Sequence, residues 1–564
     1  MNRGLPVFDD FQDEESFSED VDETEFVKSI LSEEALILLD EYKSGIVKTR
    51  TKTSDSYIKV SEVLGSVAFL YEKIRNAVDY KSEHLLRKNA IERILKRSIW
   101  ENKDKAPKDL AEGLIRELIW GRYLKNNFIP KRKASEIEEI LSKYQELERL
   151  FASNETHLKS GNIKDWFSGI CACEIDELLD PNFYFREALC KSLYFWFKRN
   201  FDWQDNGLSE DDKDVQIFIA IQRSIAKADS SCLRYALLKV YYPPWKEITS
   251  SNIDKVYGVI PKIREEIERH LDSPVQPKMY RFVQKQAAAF LILKEVIEDD
   301  IEKAEEILID PERLEKKVRK ITSEKYDEIR KKVNTGIKRS IIYIFATKII
   351  FAFLIEIPYE YLFLEKLNFM ALSVNLILPP TLMFMLGVSI RKPGNENTER
   401  IVDKINSFVY RRQDTERISF SLKPQKRNTF LSQVFLIFYT IIFLITFGGI
   451  SYLLLEAGFN IISAGIFFVF LSLVLLFSYR VRYTASELNV TGEKEGFMSH
   501  LFTNLSLPLL NLGVFLSRGL SKLNFLVVIM DFLIEAPLKN IISVFEEWTS
   551  FIREKKEEVV EVPN

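Results

Sequence analysis

The chain has 564 residues, 29% of them charged, and a formal net charge of −4. That length exceeds what one hydrophobic core normally fills, and so even a charge balance argues against a nucleic-acid partner. The four Cys fall in no paired long-range pattern, which excludes a disulfide framework and fits a reducing compartment.

Charge and hydrophobicity are segregated along the chain. Residues 1–25 carry Asp9, Asp10, Asp13, Glu14, Glu15, Glu19 and Asp20, with Arg3 as the basic residue. Such a segment cannot bury enough apolar surface to offset its ordering entropy, so a disordered acidic tail is expected. It is the reverse of a signal peptide, which begins basic. The first membrane span is therefore expected to act as its own insertion signal.

From 26 to 310 the apolar residues recur at helical spacing. Val60, Val63, Leu64, Val67, Leu70, Tyr71, Ile74 and Val78 form one such face, with charges between them. Leu110–Leu124 and Ala134–Phe151 are two further amphipathic helices, separated by Pro130. Asp180-Pro181 reads as a helix start, since Asp can cap and Pro suits the first turn. Asp211–Tyr241 forms the next helix and stops at Pro243-Pro244; 252–271 and 277–309 follow. No period-two alternation competes, so 26–310 is expected to be an all-α cytoplasmic domain of about eight to ten helices. Pro311 opens a charged helical connector over 311–339.

The remaining chain is apolar. Residues 340–390 hold two runs, IIYIFATKIIFAFLIEIPYEYLFL and FMALSVNLILPPTLMFMLGVSI, read as a first transmembrane hairpin. Phe430–Leu455 and Ile461–Tyr479 form a second, over 429–479, each run reaching the ~20 residues that a hydrocarbon core requires. The loop 391–428 between the hairpins is basic: Arg391, Lys392, Arg400, Lys404, Arg411 and Arg412, continuing to Arg427. Lys and Arg accumulate on the cytoplasmic side, so both termini are expected inside, with four crossings. Residues 480–552 are expected to be amphipathic helices at the inner interface, because Asn504, Pro508, Asn511, Asp531 and Glu535 interrupt them. Two further crossings, making six, are the alternative. Residues 553–564 form a charged tail.

Asn375 with Leu378-Pro379-Pro380 and Met383, then Met530-Asp531-Phe532, Glu535-Ala536-Pro537 and Glu546-Glu547-Trp548, resemble stretches in uncharacterised polytopic inner-membrane proteins of candidate-phylum bacteria. The resemblance covers the C-terminal part of the chain. It implies a bacterial inner-membrane protein of four or more helices with a cytoplasmic N-terminal domain, and carries no role with it.

Polar residues within the apolar runs are the candidates for function. Lys348 sits near the middle of the first span, where a Lys costs about 2.5–3.5 kcal/mol to insert. Glu356 is two turns on, but rotated by ~80° in a regular helix. The pair reads as an ion or proton relay, or as a Lys that snorkels or meets another helix, Asp531 or Glu535. Asn375 and the Pro379-Pro380 pair mark a break in the second span, of the kind that exposes carbonyls to a substrate, or a kink whose freed backbone Asn375 bonds. Cys171-Ala-Cys173 lies among Trp166, Phe167, Ile170 and Ile175, so packed thiols rather than zinc ligands are expected. No nucleotide-binding loop, zinc-protease motif or nucleophile elbow is present. The expectation is a non-catalytic, cofactor-free protein that contacts the lipid bilayer and anchors a cytoplasmic scaffold domain with a protein partner. The alternative is a transporter or channel built on Lys348, Glu356 and the Pro379-Pro380 break.

Overall fold

The structure, a computed structural model, describes residues 30–49, 56–60, 83–101, 106–153, 160–204, 207–300, 303–365, 367–390, 393–411, 418–421, 429–490 and 497–522, with scattered positions at 68–75 and 537–555. Segment 1–25, nearly all of 553–564, and Asp531 and Glu535 lie outside the described residues. The fold is all-α, and two three-residue strands are the exception among the described residues. The chain divides into two compact units: 1–284 with 414–420 and 525–564, and 285–413 with 421–524.

The first unit contains α1 (Glu33–Thr49), α2 (Glu83–Glu101), α3 (Pro107–Trp120), α4 (Arg132–Ser153), α5 (Ser160–Leu179), α6 (Phe183–Asn200), α7 (Glu210–Ser224), α8 (Ser230–Tyr241) and α9 (Ile260–Leu271). Local chemistry sets the boundaries. The Ser209 hydroxyl accepts from the Asp212 amide at 3.1 Å and starts α7, and the Asp229 carboxylate accepts from the Cys232 amide at 3.0 Å and starts α8. The single helix expected over Asp211–Tyr241 is thus two helices, with Lys227 between them at φ 52°. α6 begins at Phe183, just after Asp180-Pro181, and the Asp180 carboxylate accepts from the Asn182 amide at 3.2 Å; it also accepts from Arg186 at 2.9 Å and lies 3.3 Å from Arg87. At the centre Glu174 is a buried hub. It takes Lys143 at 2.5 Å, the Tyr144 hydroxyl at 2.8 Å and the indole N–H of Trp245 at 3.0 Å. A buried carboxylate is tolerated only when its oxygens are filled in this way.

β1 (Phe201–Trp203) pairs in parallel with β2 (Ile418–Phe420), Phe201 opposite Ile418 and Trp203 opposite Phe420. Phe282 closes an aromatic cluster on this ribbon, 5.3 Å from both Phe201 and Phe420. Three residues per strand are too few to leave a period in sequence.

The second unit holds the end of α10 (Gln276–Asp299), α11 (Ala304–Ile309), α12 (Pro311–Phe351), α13 (Ile357–Phe363), α14 (Phe369–Val388), α15 (Asn395–Val409), α16 (Thr429–Glu456), α17 (Ile461–Ala485) and α18 (Phe497–Lys522). Asp310 caps α12, accepting from the amides of Glu312 and Arg313 at 3.0 and 3.2 Å, with Pro311 in the first turn. The charged connector is therefore not a separate element: it is the start of the first span. One buried stripe runs its length, through Leu314, Val318, Ile321, Tyr326, Ile329, Val333, Ile337 and Ile344 to Lys348. Among the described residues, four helices are long and apolar enough to cross a membrane: Pro311–Phe363, Phe369–Val388, Gln433–Glu456 and Ile461–Ala485. Their outer faces expose Phe353, Leu354, Tyr361, Phe435, Leu436 and Ile437. An apolar surface of that extent needs lipid around it.

α18 packs on α17 and α16. Thr446 donates to the Leu505 carbonyl at 3.1 Å, Asn511 to the Tyr439 hydroxyl at 3.1 Å, and Arg480 to Ser517 at 3.2 Å. Gly513 permits the approach: a Cβ there would stand 2.6 Å from the Ser472 carbonyl oxygen. Gly336, in α12, has ordinary room, with Val481 3.5 Å from a Cβ. Gly513→Ala is therefore expected to destabilise the purified protein by about 1–3 kcal/mol. Gly336→Ala is expected to be neutral or to stabilise by up to about 1 kcal/mol. Thermal unfolding in detergent separates the two.

Candidate functional site

The polar residues of the first hairpin come together with residues of α17 in one buried cluster. Lys348, Glu356 and Asn375 are 0% exposed, and Glu360 and Ser463 are 2% and 3% exposed. Lys348 stands on the inward stripe of α12 rather than on a lipid face, so it does not snorkel. Its ammonium forms an ion pair with the Glu356 carboxylate and lies 4.9 Å from the centre of the Phe470 ring. Asn375, from α14, donates to Glu356 Oε1 at 3.0 Å and to the Ser463 carbonyl at 3.3 Å. Three helices are tied through one carboxylate oxygen and one amide.

The ion pair corrects the rotation expected for a regular helix. A π-helical turn over Ala352–Glu356 separates the two residues. Such a turn closes i→i+5 bonds and absorbs one extra residue. Lys348 and Glu356, eight apart in sequence, then stand as residues seven apart do in an α-helix, on one face. Without that turn the ~80° offset would hold them apart.

Pro379 and Pro380 do not break the second span. α14 is continuous from Phe369 to Val388. Ala371, Asn375, Pro379, Met383 and Gly387 recur every four residues as its buried ridge, so the prolines sit in a helix held by packing on both sides. Gly387 shows how closely: a Cβ there would meet the Ile337 side chain at 2.8 Å. Nor does the Asn375 amide serve the backbone of its own helix; it bonds Glu356 and α17.

A second layer lies one turn further on. Glu360 accepts from the Asn460 side chain and the Asn368 backbone amide, both at 3.0 Å, and from Ser463 Oγ at 3.5 Å. Asn368 also donates to the Gly458 carbonyl at 2.9 Å, joining the two hairpin turns. Gly458 is required there: its φ is +77°, and a Cβ would stand 2.6 Å from the Asn368 side chain. Asn368 and Asn460 cap α14 and α17 with their side-chain oxygens, accepting from the Ala371 and Ser463 amides at 3.1 and 2.8 Å. Sequence reasoning passed over Glu360, Asn368, Asn460 and Ser463. Glu360 was visible as a carboxylate four residues after Glu356 in the same apolar run; the two Asn were visible as residues opening apolar helices. A further knot holds the other end of the unit. Asn397 donates to the Tyr326 hydroxyl at 2.8 Å and to the Leu488 carbonyl at 2.7 Å, and accepts from the Val490 amide at 3.0 Å.

Two acceptors in the cluster, Glu356 Oε2 and Asn375 Oδ1, have no hydrogen-bond donor among the described residues. Cys171 and Cys173 are buried in the core of the first unit. Comparison with protein families, with functionally described proteins and with solved structures finds no match to this chain.

The cluster makes a stability prediction. Removing one member of a buried pair leaves an uncompensated charge, while replacing both by apolar residues does not. Lys348→Met alone is expected to destabilise by about 3–5 kcal/mol, and the double variant Lys348→Met/Glu356→Leu by less than about 1 kcal/mol. Detergent unfolding of both variants, assembled into a double-mutant cycle, gives the coupling directly.

Proposed function

We propose that this chain is a multi-pass membrane anchor carrying a helical interaction domain that engages a protein partner at the membrane surface. The observation that carries this reading is the closure of the intramembrane cluster: Lys348, Glu356 and Asn375 are fully buried and bonded to one another. Groups spent on one another brace helices, whereas groups on a transport path face a water-filled cavity. The first unit, in turn, has a large core of its own and ion pairs between its helices, such as Lys239–Glu177 and Arg269–Asp212.

A bacterial inner-membrane location with both termini cytoplasmic completes the proposal. The pairing of β1 with β2 supports it, because segment 418–420 of the basic loop joins the N-terminal unit. Loop and unit then share one side of the membrane, as two crossings between them require. Asn397, bonded to Leu488 and Val490, does the same for the end of α17. The basic residues of the loop favour the cytoplasm as that side.

A transport role is the second reading. The two open acceptors at Glu356 and Asn375 favour it, as does the π turn beside them, since such turns occur often at functional sites.

Full-length protein purified in mild detergent, and then reconstituted, tests the first reading against the second. It predicts a stoichiometric protein partner retained equally by the Lys348→Met/Glu356→Leu variant, and proton and alkali-cation flux no faster than in protein-free vesicles. Flux abolished by that variant, with no retained partner, would establish the second reading instead.

A further inference from the structure

Two of the four thiols in the first unit face each other. Cys173, on α5, and Cys232, in the first turn of α8, have their Sγ atoms 3.7 Å apart. The remaining pair, Cys171 and Cys190, are each buried. The helices are close here for a local reason. Gly169 lies one turn before Cys173, and a Cβ on it would stand 3.0 Å from Ser231 Cβ and 4.0 Å from Ser231 Cα. A glycine at the crossing lets α8 approach α5 near enough for side chains to bond across it.

The surroundings differ for the two sulfurs. Cys173 is 6% exposed, and burial pushes its thiol well above the ordinary range, with the neighbouring Cys232 adding to the effect. Cys232 is half-buried, three residues after the Asp229 cap, in the first turn of α8. Both line a cavity of about 70 Å³ with Asp176, Glu177, Arg186 and Lys239. The Lys88 ammonium lies beside them, bound to Asp229 at 2.7 Å and Glu92 at 3.0 Å.

We propose that Cys173 and Cys232 are a reversible oxidation site, closing to a disulfide that staples α5 to α8. Cys232 attacks first, as the more accessible sulfur. With a hydroperoxide as oxidant, its thiolate takes the distal oxygen of hydrogen peroxide, breaking the O–O bond and giving a sulfenic acid and hydroxide. Cys173 then attacks the Cys232 sulfur. The S–O bond breaks, hydroxide leaves, and the Cys173 proton goes with it as water. Overall two thiols and one peroxide give one disulfide and two waters. A dithiol reverses the step by exchange. The sulfurs must close from 3.7 Å to about 2.05 Å. Disulfides in reducing compartments are typically transient and redox-sensing, and this pair has the form of such a sensor.

The test uses the full chain in detergent, exposed to stoichiometric hydrogen peroxide, then alkylated in denaturant and digested. The expected result is a peptide pair linked through Cys173 and Cys232, lost on dithiothreitol treatment, with Cys171 and Cys190 still alkylated. In Cys173→Ala, Cys232 is expected to stop at the sulfenic acid and to be captured by dimedone. The wild-type digest needs no variant to fold. Absence of the linked peptide at peroxide levels that oxidise exposed methionines would overturn the proposal. So would oxidation spread evenly over all four thiols.

Discussion

A lysine ammonium carried into a membrane needs a counter-charge close by, and in this chain the counter-charge stands on the same helix. Everything around Lys348 follows from that requirement. The helix must change its turn between 348 and 356 to bring the carboxylate round. The carboxylate must find a further donor, which Asn375 supplies from α14. Asn375 must in turn be held, and the Ser463 carbonyl of α17 holds it. An apolar helix has no reason to prefer one rotation against another apolar helix in lipid, since the tails solvate all faces equally. A single buried polar chain removes that freedom, because any other register leaves a charge unpaired.

The second layer extends the same logic to the hairpin ends. Glu360 accepts from three donors, two of them on residues that also cap helices. Helix starts and intramembrane bracing are thus a single arrangement. Asn397 plays a matching part at the opposite end, joining α12, α15 and the turn after α17. The bundle is pinned at three levels by polar groups, while lipid-facing α16 offers almost none.

Fold class and the spans were legible in the sequence because both rest on long-range averages: helical period over tens of residues, and apolar runs long enough for a bilayer. Lys348, Glu356 and Asn375 stood out for the same reason, as polar residues in apolar runs. Their geometry was hidden. A π turn over Ala352–Glu356 has no sequence rule of its own, and a regular 100° step turned the ion pair into a near miss. The continuous α14 was hidden too, since Pro379 and Pro380 argue locally for a break and only packing against neighbouring helices overrides them. In the N-terminal half, the break at 225–229 divides a helical pattern that reads as continuous, and the β1–β2 ribbon is too short to show a period.

The central claim is that Lys348 and Glu356 form a closed ion pair within the membrane bundle. Solid-state NMR on the full chain in lipid bilayers, with ¹⁵N at Lys348 Nζ and ¹³C at Glu356 Cδ, tests it most directly. A strong dipolar coupling, corresponding to a separation of about 4 Å or less, with the carbon at the shift of an ionised carboxylate, is the predicted result. No coupling, together with a protonated Glu356, would contradict it.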